Sequence, residues 1–166
     1  MEKPLVFLDT DVLISYLRGD LASVHLFDRV FLDRVCLAIN AIVLQELLFL
    51  AEVRNHPEIV DRIQEKVTIL DFDLVKLDQY WQNARDIRNI LADSNDVLIL
   101  SSAANCDYLV TYDQKLKKAS SYLSNSKPIV VTTEQLLEVI VQKNIVPSSL
   151  SCQGYKSSIF PLNKVI

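Results

Sequence analysis

Four carboxylates stand out by where they fall. Asp9 ends the apolar run 5–8, Asp113 lies just beyond the apolar segment 108–110, Asp96 opens an apolar helical segment, and Glu46 sits inside another. Glu46 is the least ordinary, because it shares the helical row Ile42, Glu46, Phe49, Val53. An ionised glutamate is not left in such a row without a partner. The helix offers no basic residue before Arg54, so the partner must come from another element. Taken singly, Asp9 and Asp113 also suit turns or helix caps, Asp96 suits a helix N-terminus, and Glu46 could pair with a distant arginine. Taken together they are costly: two like charges about 4 Å apart repel by roughly 4 kcal/mol at an effective dielectric of about 20. Several such pairs rival the roughly 5 to 15 kcal/mol that stabilises a whole domain. The cluster must hold a proton, an arginine or a cation. For a cation, oxygen-only ligands select a hard ion, Mg²⁺ or Mn²⁺, which keeps several waters and completes its shell with phosphate oxygens.

The elements that must position these acids follow from hydrophobic patterning. Short apolar runs at 5–8, 35–39, 67–70, 108–110 and 129–131 read as strands buried on both faces of a parallel sheet. Between them the pattern predicts helices over 12–17, 21–32, 41–54, 57–66, 74–91 and 96–105, and a last one opened by the Thr132/Gln135 capping-box pair and ending near Lys143. Asn40 is placed to cap the helix that carries Glu46. Strands alternating with helices mean an open α/β sheet, whose ligands bind beyond the carboxyl ends of the strands. Asp9, Asp96 and Asp113 all belong to that rim. Residues 1–143 read as one domain; residues 144–166, rich in serine and holding Pro147, Pro161 and Gly154, read as a C-terminal extension.

Composition narrows the chemistry. With 17 basic and 21 acidic residues the net charge is −4, so there is no global positive field and any nucleic-acid contact must be local. Lys115, Lys117, Lys118 and Lys127 could supply it, although a solvated helix face explains them as well. Only two glycines occur, Gly19 and Gly154, so Walker A and dinucleotide fingerprints are absent. Cys36, Cys106 and Cys152 form no C-x-x-C pair and read as small hydrophobes of a reducing compartment. His25 and His56 read as ordinary surface residues, and Asp93 as a helix-entry acid. No apolar stretch approaches 18 residues, and the N-terminus has no basic leader, so a cytoplasmic protein is expected.

The ordered segments Phe7-Leu8-Asp9-Thr10-Asp11-Val12-Leu13-Ile14, Ile39-Asn40-Ala41-Ile42-Val43-Leu44-Gln45-Glu46-Leu47, Asn95-Asp96-Val97-Leu98-Ile99-Leu100-Ser101-Ser102-Ala103 and Leu109-Val110-Thr111-Tyr112-Asp113 resemble the four motifs of the PIN domain nucleases. The resemblance covers about residues 4–143. It implies a five-stranded parallel sheet flanked by helices. It also implies a metal-dependent endoribonuclease whose catalytic and metal-binding acids are Asp9, Glu46, Asp96 and Asp113. Small stand-alone members are mostly VapC-like toxins, held by an antitoxin and often homodimeric, and this chain is of that size. Asp11 stands where asparagine is usual, Ser101 and Ser102 replace alanines, Tyr112 occupies a position often basic or polar, and the tail is long.

Two other readings compete. Asp9-Thr10-Asp11-Val12 also satisfies the D-x-D-x-V opening of haloacid-dehalogenase-like phosphatases, with Asp9 as nucleophile, but neither glycine has the later setting that family needs and Glu46 is left unexplained. A non-catalytic PIN-like module that binds RNA or a protein is the other, and the intact acids argue against it.

Overall fold

The computed structural model describes residues 2–75, 78, 94–121 and 128–142. Five strands, β1 (Leu5–Leu8), β2 (Cys36–Asn40), β3 (Thr68–Leu70), β4 (Tyr108–Val110) and β5 (Ile129–Val131), form one all-parallel sheet in the order β3-β2-β1-β4-β5. The central strands β1, β2 and β4 are buried at every residue, as continuous apolar runs require, whereas β3 and β5 at the edges are only partly covered. From β1 the chain steps outward to β2 and β3, then returns to lay β4 on the other side of β1. The carboxyl ends of β1 and β4 therefore form the switch point of the sheet, where a crevice opens between connections that leave in opposite directions. The Asp9 N–H donates to Val110 O at 3.0 Å and closes β1 against β4 there.

The helices flanking the sheet are α1 (Thr10–Leu17), α2 (Leu21–Leu26), α3 (Arg29–Leu32), α4 (Ala41–Phe49), α5 (Ala51–Asn55), α6 (Glu58–Gln64), α7 (Ser94–Ala103), α8 (Gln114–Ser120) and α9 (Thr133–Gln142). The helix expected over 21–32 is broken in two because Asp28 adopts extended backbone (ψ 142°) and precedes α3, its carboxylate 2.7 Å from His25 Nδ1. The helix expected over 41–54 is likewise broken at Leu50 (ψ 139°), and Arg54 donates to the freed Phe49 carbonyl at 3.1 Å. Pro57 sits one position before α6 rather than inside it. The Thr132/Gln135 box is formed, with Thr132 N–H donating to Gln135 Oε1 at 3.0 Å. The helix expected over 74–91 lies mostly outside the described residues, as do residues 144–166. Among the described residues no helix is long and apolar enough to cross a membrane. Cys36 and Cys106 are both buried in the core, and the Cys106 thiol donates to Ser102 O at 3.8 Å.

Two polar side chains tie the layers. Asn40, fully buried at the end of β2, accepts from Val43 N–H at 3.0 Å to cap α4 and donates to Leu98 O (3.3 Å) and Ser102 Oγ (3.1 Å) on α7. The helix bearing Glu46 is thus locked to the helix bearing Asp96. At the opposite rim Asp107 accepts from Leu5 N–H at 2.8 Å, so that carboxylate fastens the sheet and is far from the switch point.

Candidate active site

Asp9 leaves the end of β1 and caps α1, accepting from Thr10 N–H at 2.7 Å; its other oxygen accepts from Thr111 Oγ1 at 2.6 Å. It is only 7% exposed. Burial, joined by the charges of Asp11 and Asp96 and opposed by the hydrogen bonds from Thr111 and Thr10, raises its pKa to about 7. Asp9 and Asp96, expected to share a site, are thus close enough to repel.

Glu46 on α4 is half-buried and reaches both neighbouring elements. Its Oε2 accepts from the Thr10 hydroxyl and its Oε1 from Asn95 Nδ2 at 3.0 Å. The partner demanded by its apolar row is therefore a pair of neutral donors rather than an arginine. Those donors adjoin Asp9 and Asp96 in sequence, so Glu46 bridges the two helices that begin at these aspartates.

Asp113 caps α8, accepting from Lys115 N–H at 2.7 Å, so its cap reading holds geometrically. Its own N–H donates to Thr111 Oγ1 at 3.0 Å. A single buried hydroxyl, Thr111, thereby ties Asp9 to the backbone of Asp113. Asp11, in the first turn of α1, accepts from Tyr112 N–H at 2.8 Å while its Oδ1 is buried with no hydrogen-bond partner among the described residues. Burial raises the pKa of Asp11, and the charge of Asp113 adds to the rise.

Asp11, Thr10, Asn95 and Thr111 were not singled out for these roles by sequence. Asp11 was visible as an acid in place of asparagine, but an acid in a first helical turn is common for electrostatic reasons alone. Thr111 and Asn95 gave no signal, since a hydroxyl or amide declares itself only through partners brought in from elsewhere in the chain. His25 and His56 pair with Asp28 and Glu58 on the surface, as read. Lys115, Lys117 and Lys118 lie exposed on α8. Lys127 and Asp93 fall outside the described residues.

Replacing Thr111 with valine tests the hub. The shape is kept, but Asp9 loses a donor and the Asp113 N–H loses its acceptor, a cost of about 1 to 3 kcal/mol. A lowered urea midpoint with unchanged m-value at neutral pH is the expected result.

These residues fit a hard divalent cation: every donor is oxygen, and the pressure on Asp9 comes from burial and like charge. Among the described residues no three His, Cys, Asp or Glu side chains form a ready-made metal cage. Mg²⁺ does not require one, since it commonly binds through one or two carboxylates and keeps its waters.

An open α/β domain with opposed carboxylates at its switch point is the class that the fold and site define. The chain belongs to the PIN domain family, whose profile matches residues 6–121. PIN domains are generally nucleases that use divalent metal ions. Among solved structures, VapBC2 from Rickettsia felis, bound to a DNA fragment from its promoter, matches at 21% identity with a TM-score of 0.60, covering 77% of this chain and 98% of that one. PAE2754 from Pyrobaculum aerophilum matches at 15% identity with a TM-score of 0.51, covering 85% of this chain and 99% of that one. At these identities the likeness speaks for the fold. No curated protein sequence matches this chain.

Proposed function

We propose that the protein is a Mg²⁺- or Mn²⁺-dependent endoribonuclease with Asp9, Glu46, Asp96 and Asp113 as its catalytic acids. We further propose that it serves as the toxin of a toxin–antitoxin pair in the cytoplasm. The observation that carries the reading is Asp9, an acid at the switch point of the sheet whose burial and acidic neighbours hold its pKa near 7. A divalent cation held there would supply Lewis-acid chemistry toward phosphate oxygens and lower the pKa of a water. Asp9 and Asp96 would hold it, with Glu46 and Asp113 binding directly or through water. Thr10 and Asn95 fix the direction of the Glu46 carboxylate, and Thr111 fixes Asp9 against the loop that carries Asp113. Lys115, Lys117 and Lys118 would add phosphate contacts that an acidic protein otherwise lacks. The toxin reading is supported by the motif resemblance to VapC-like proteins and by the structural likeness to VapBC2; an antitoxin partner and a homodimer go with it. Residues 1–143 would be the nuclease domain and 144–166 an appendage. Family membership removes the ground for reading Asp9 as a phosphatase nucleophile.

The test is cleavage of end-labelled single-stranded RNA across Mg²⁺ and Mn²⁺ titrations, with chelator and Asp96→Asn as controls. Fragments that require the metal and vanish in the variant are expected. The metal should also raise the melting temperature, since a ligand at about 100 times its Kd stabilises the native state by roughly 2.7 kcal/mol. RNA binding without cleavage at any metal concentration would overturn the reading in favour of an interaction module.

A further inference from the structure

Beside the acids lies an open groove of about 450 Å³ lined by Ser15, Arg18, Gly19, Asp20, Tyr112 and Glu134. We propose that it is a subsite for the nucleotide next to the scissile phosphate, with the Tyr112 ring stacking on an unpaired base and Arg18 holding its phosphate. The proposal rests on the nuclease reading and deepens it.

The groove is continuous with the acidic rim through two elements. Tyr112 stands between Thr111, which holds Asp9, and Asp113, and its N–H is bound by Asp11. On α1, Asp11, Ser15 and Arg18 follow at i, i+4 and i+7 and share one face. Arg18 therefore lies about 10 Å along the helix axis from Asp11, at a rise of roughly 1.5 Å per residue. Gly19 turns the chain there with φ 78°, a left-handed conformation that favours glycine, and its N–H bonds Tyr16 O at 3.0 Å. The turn thereby fixes where the Arg18 side chain starts.

The charges in the groove are not equivalent. Asp20 is committed to capping α2, accepting from Ser23 N–H at 2.9 Å, and Glu134 accepts from the Tyr112 hydroxyl at 3.4 Å. Among the described residues the exposed guanidinium of Arg18 forms no ion pair, which leaves it as the cation of the groove free to meet a phosphate. Tyr112 is half-buried against the core yet lines the groove, so its ring is held in place while remaining reachable. A supported aromatic beside a free arginine suits a single strand, whose bases are unstacked and can lie on a side-chain ring.

The test is fluorescence anisotropy with a fluorescein-labelled single-stranded RNA dodecamer of mixed sequence, in chelator to prevent turnover, on wild type, Arg18→Gln, Tyr112→Ala and Tyr112→Phe. Arg18→Gln and Tyr112→Ala should each weaken binding about tenfold, and Tyr112→Phe, which keeps the ring, should not. Arg18→Gln should also flatten the slope of log K against log salt by about 1. In cleavage assays with Mg²⁺ or Mn²⁺ the first two variants should raise KM for the dodecamer about tenfold. RNA binding that neither variant weakens, or no RNA binding by the wild type, overturns the subsite. So does Arg18-dependent binding of polyglutamate with RNA binding unaltered, which would mark a groove for an acidic peptide. Groove-dependent binding by a wild type that never cleaves sustains the subsite and sinks the nuclease reading; metal-dependent cleavage with binding and KM unmoved by either variant does the reverse.

Discussion

Between about pH 4 and pH 8 the metal-free protein is expected to lose about 4 kcal/mol of unfolding free energy through Asp9 alone. Folding raises this carboxyl from 3.8 to about 7, so between those values the folded chain keeps a proton that the unfolded chain has released. Stability must then fall as pH rises through the window, being highest below the unfolded pKa and levelling off above the folded one. Asp11, raised in the same direction by burial, adds to the slope. Asp9→Asn removes the titrating group, so its profile of urea midpoint against pH in chelator should be much flatter than that of wild type and cross above it at neutral pH. If Asp9 takes a cation, saturating Mg²⁺ should recover the lost stability at pH 8 in wild type and do much less for the variant. Superimposable pH profiles for the two proteins in chelator would mean that Asp9 is solvated and unstrained, and the electrostatic case for the site would go with it.

That Asp9 was legible in the sequence, while much of what surrounds it was not, has a physical cause. A charge that halts a four-residue apolar run marks the end of a buried parallel strand, and β1 and β4 fall on the residues the pattern assigns because both faces of each are covered. Glu46 was legible by contrast with its apolar row. The breaks at Asp28 and Leu50 were not, because each is one residue of extended backbone inside an otherwise helical hydrophobic pattern. The roles of Thr111 and Asn95 were invisible for a different reason: the Thr111–Asp9 bond spans 102 residues and the Asn95–Glu46 bond 49, and nothing local to a threonine or asparagine announces such a partner. The paired acids were readable one at a time, but their coupling through hydroxyls and amides belongs to the tertiary structure.

Glu46→Gln is expected to leave the fold nearly intact and to lower RNA cleavage at least about a hundredfold. The carboxylate now accepts from two donors, the Thr10 hydroxyl and Asn95 Nδ2. A glutamine can keep both contacts, because its carbonyl accepts from Asn95 while its NH₂ donates to Thr10 Oγ1, whose hydrogen is free to rotate away. The exchange of one neutral network for another costs about 1 kcal/mol or less, and the half-buried site needs no repacking. What the glutamine cannot supply is charge. Neutral donors on both oxygens aim the carboxylate between α1 and α7 without neutralising it, which is how an acid is kept available for a cation or its water rather than spent on a salt bridge. The variant should therefore also require more Mg²⁺ or Mn²⁺ for whatever activity remains. Thermal unfolding and a metal titration of the cleavage rate, run on the same preparation, separate the two effects. A folded Glu46→Gln protein that cleaves at the wild-type rate across both titrations would reduce Glu46 to an acceptor joining two helices, and the catalytic acids would then be the three aspartates.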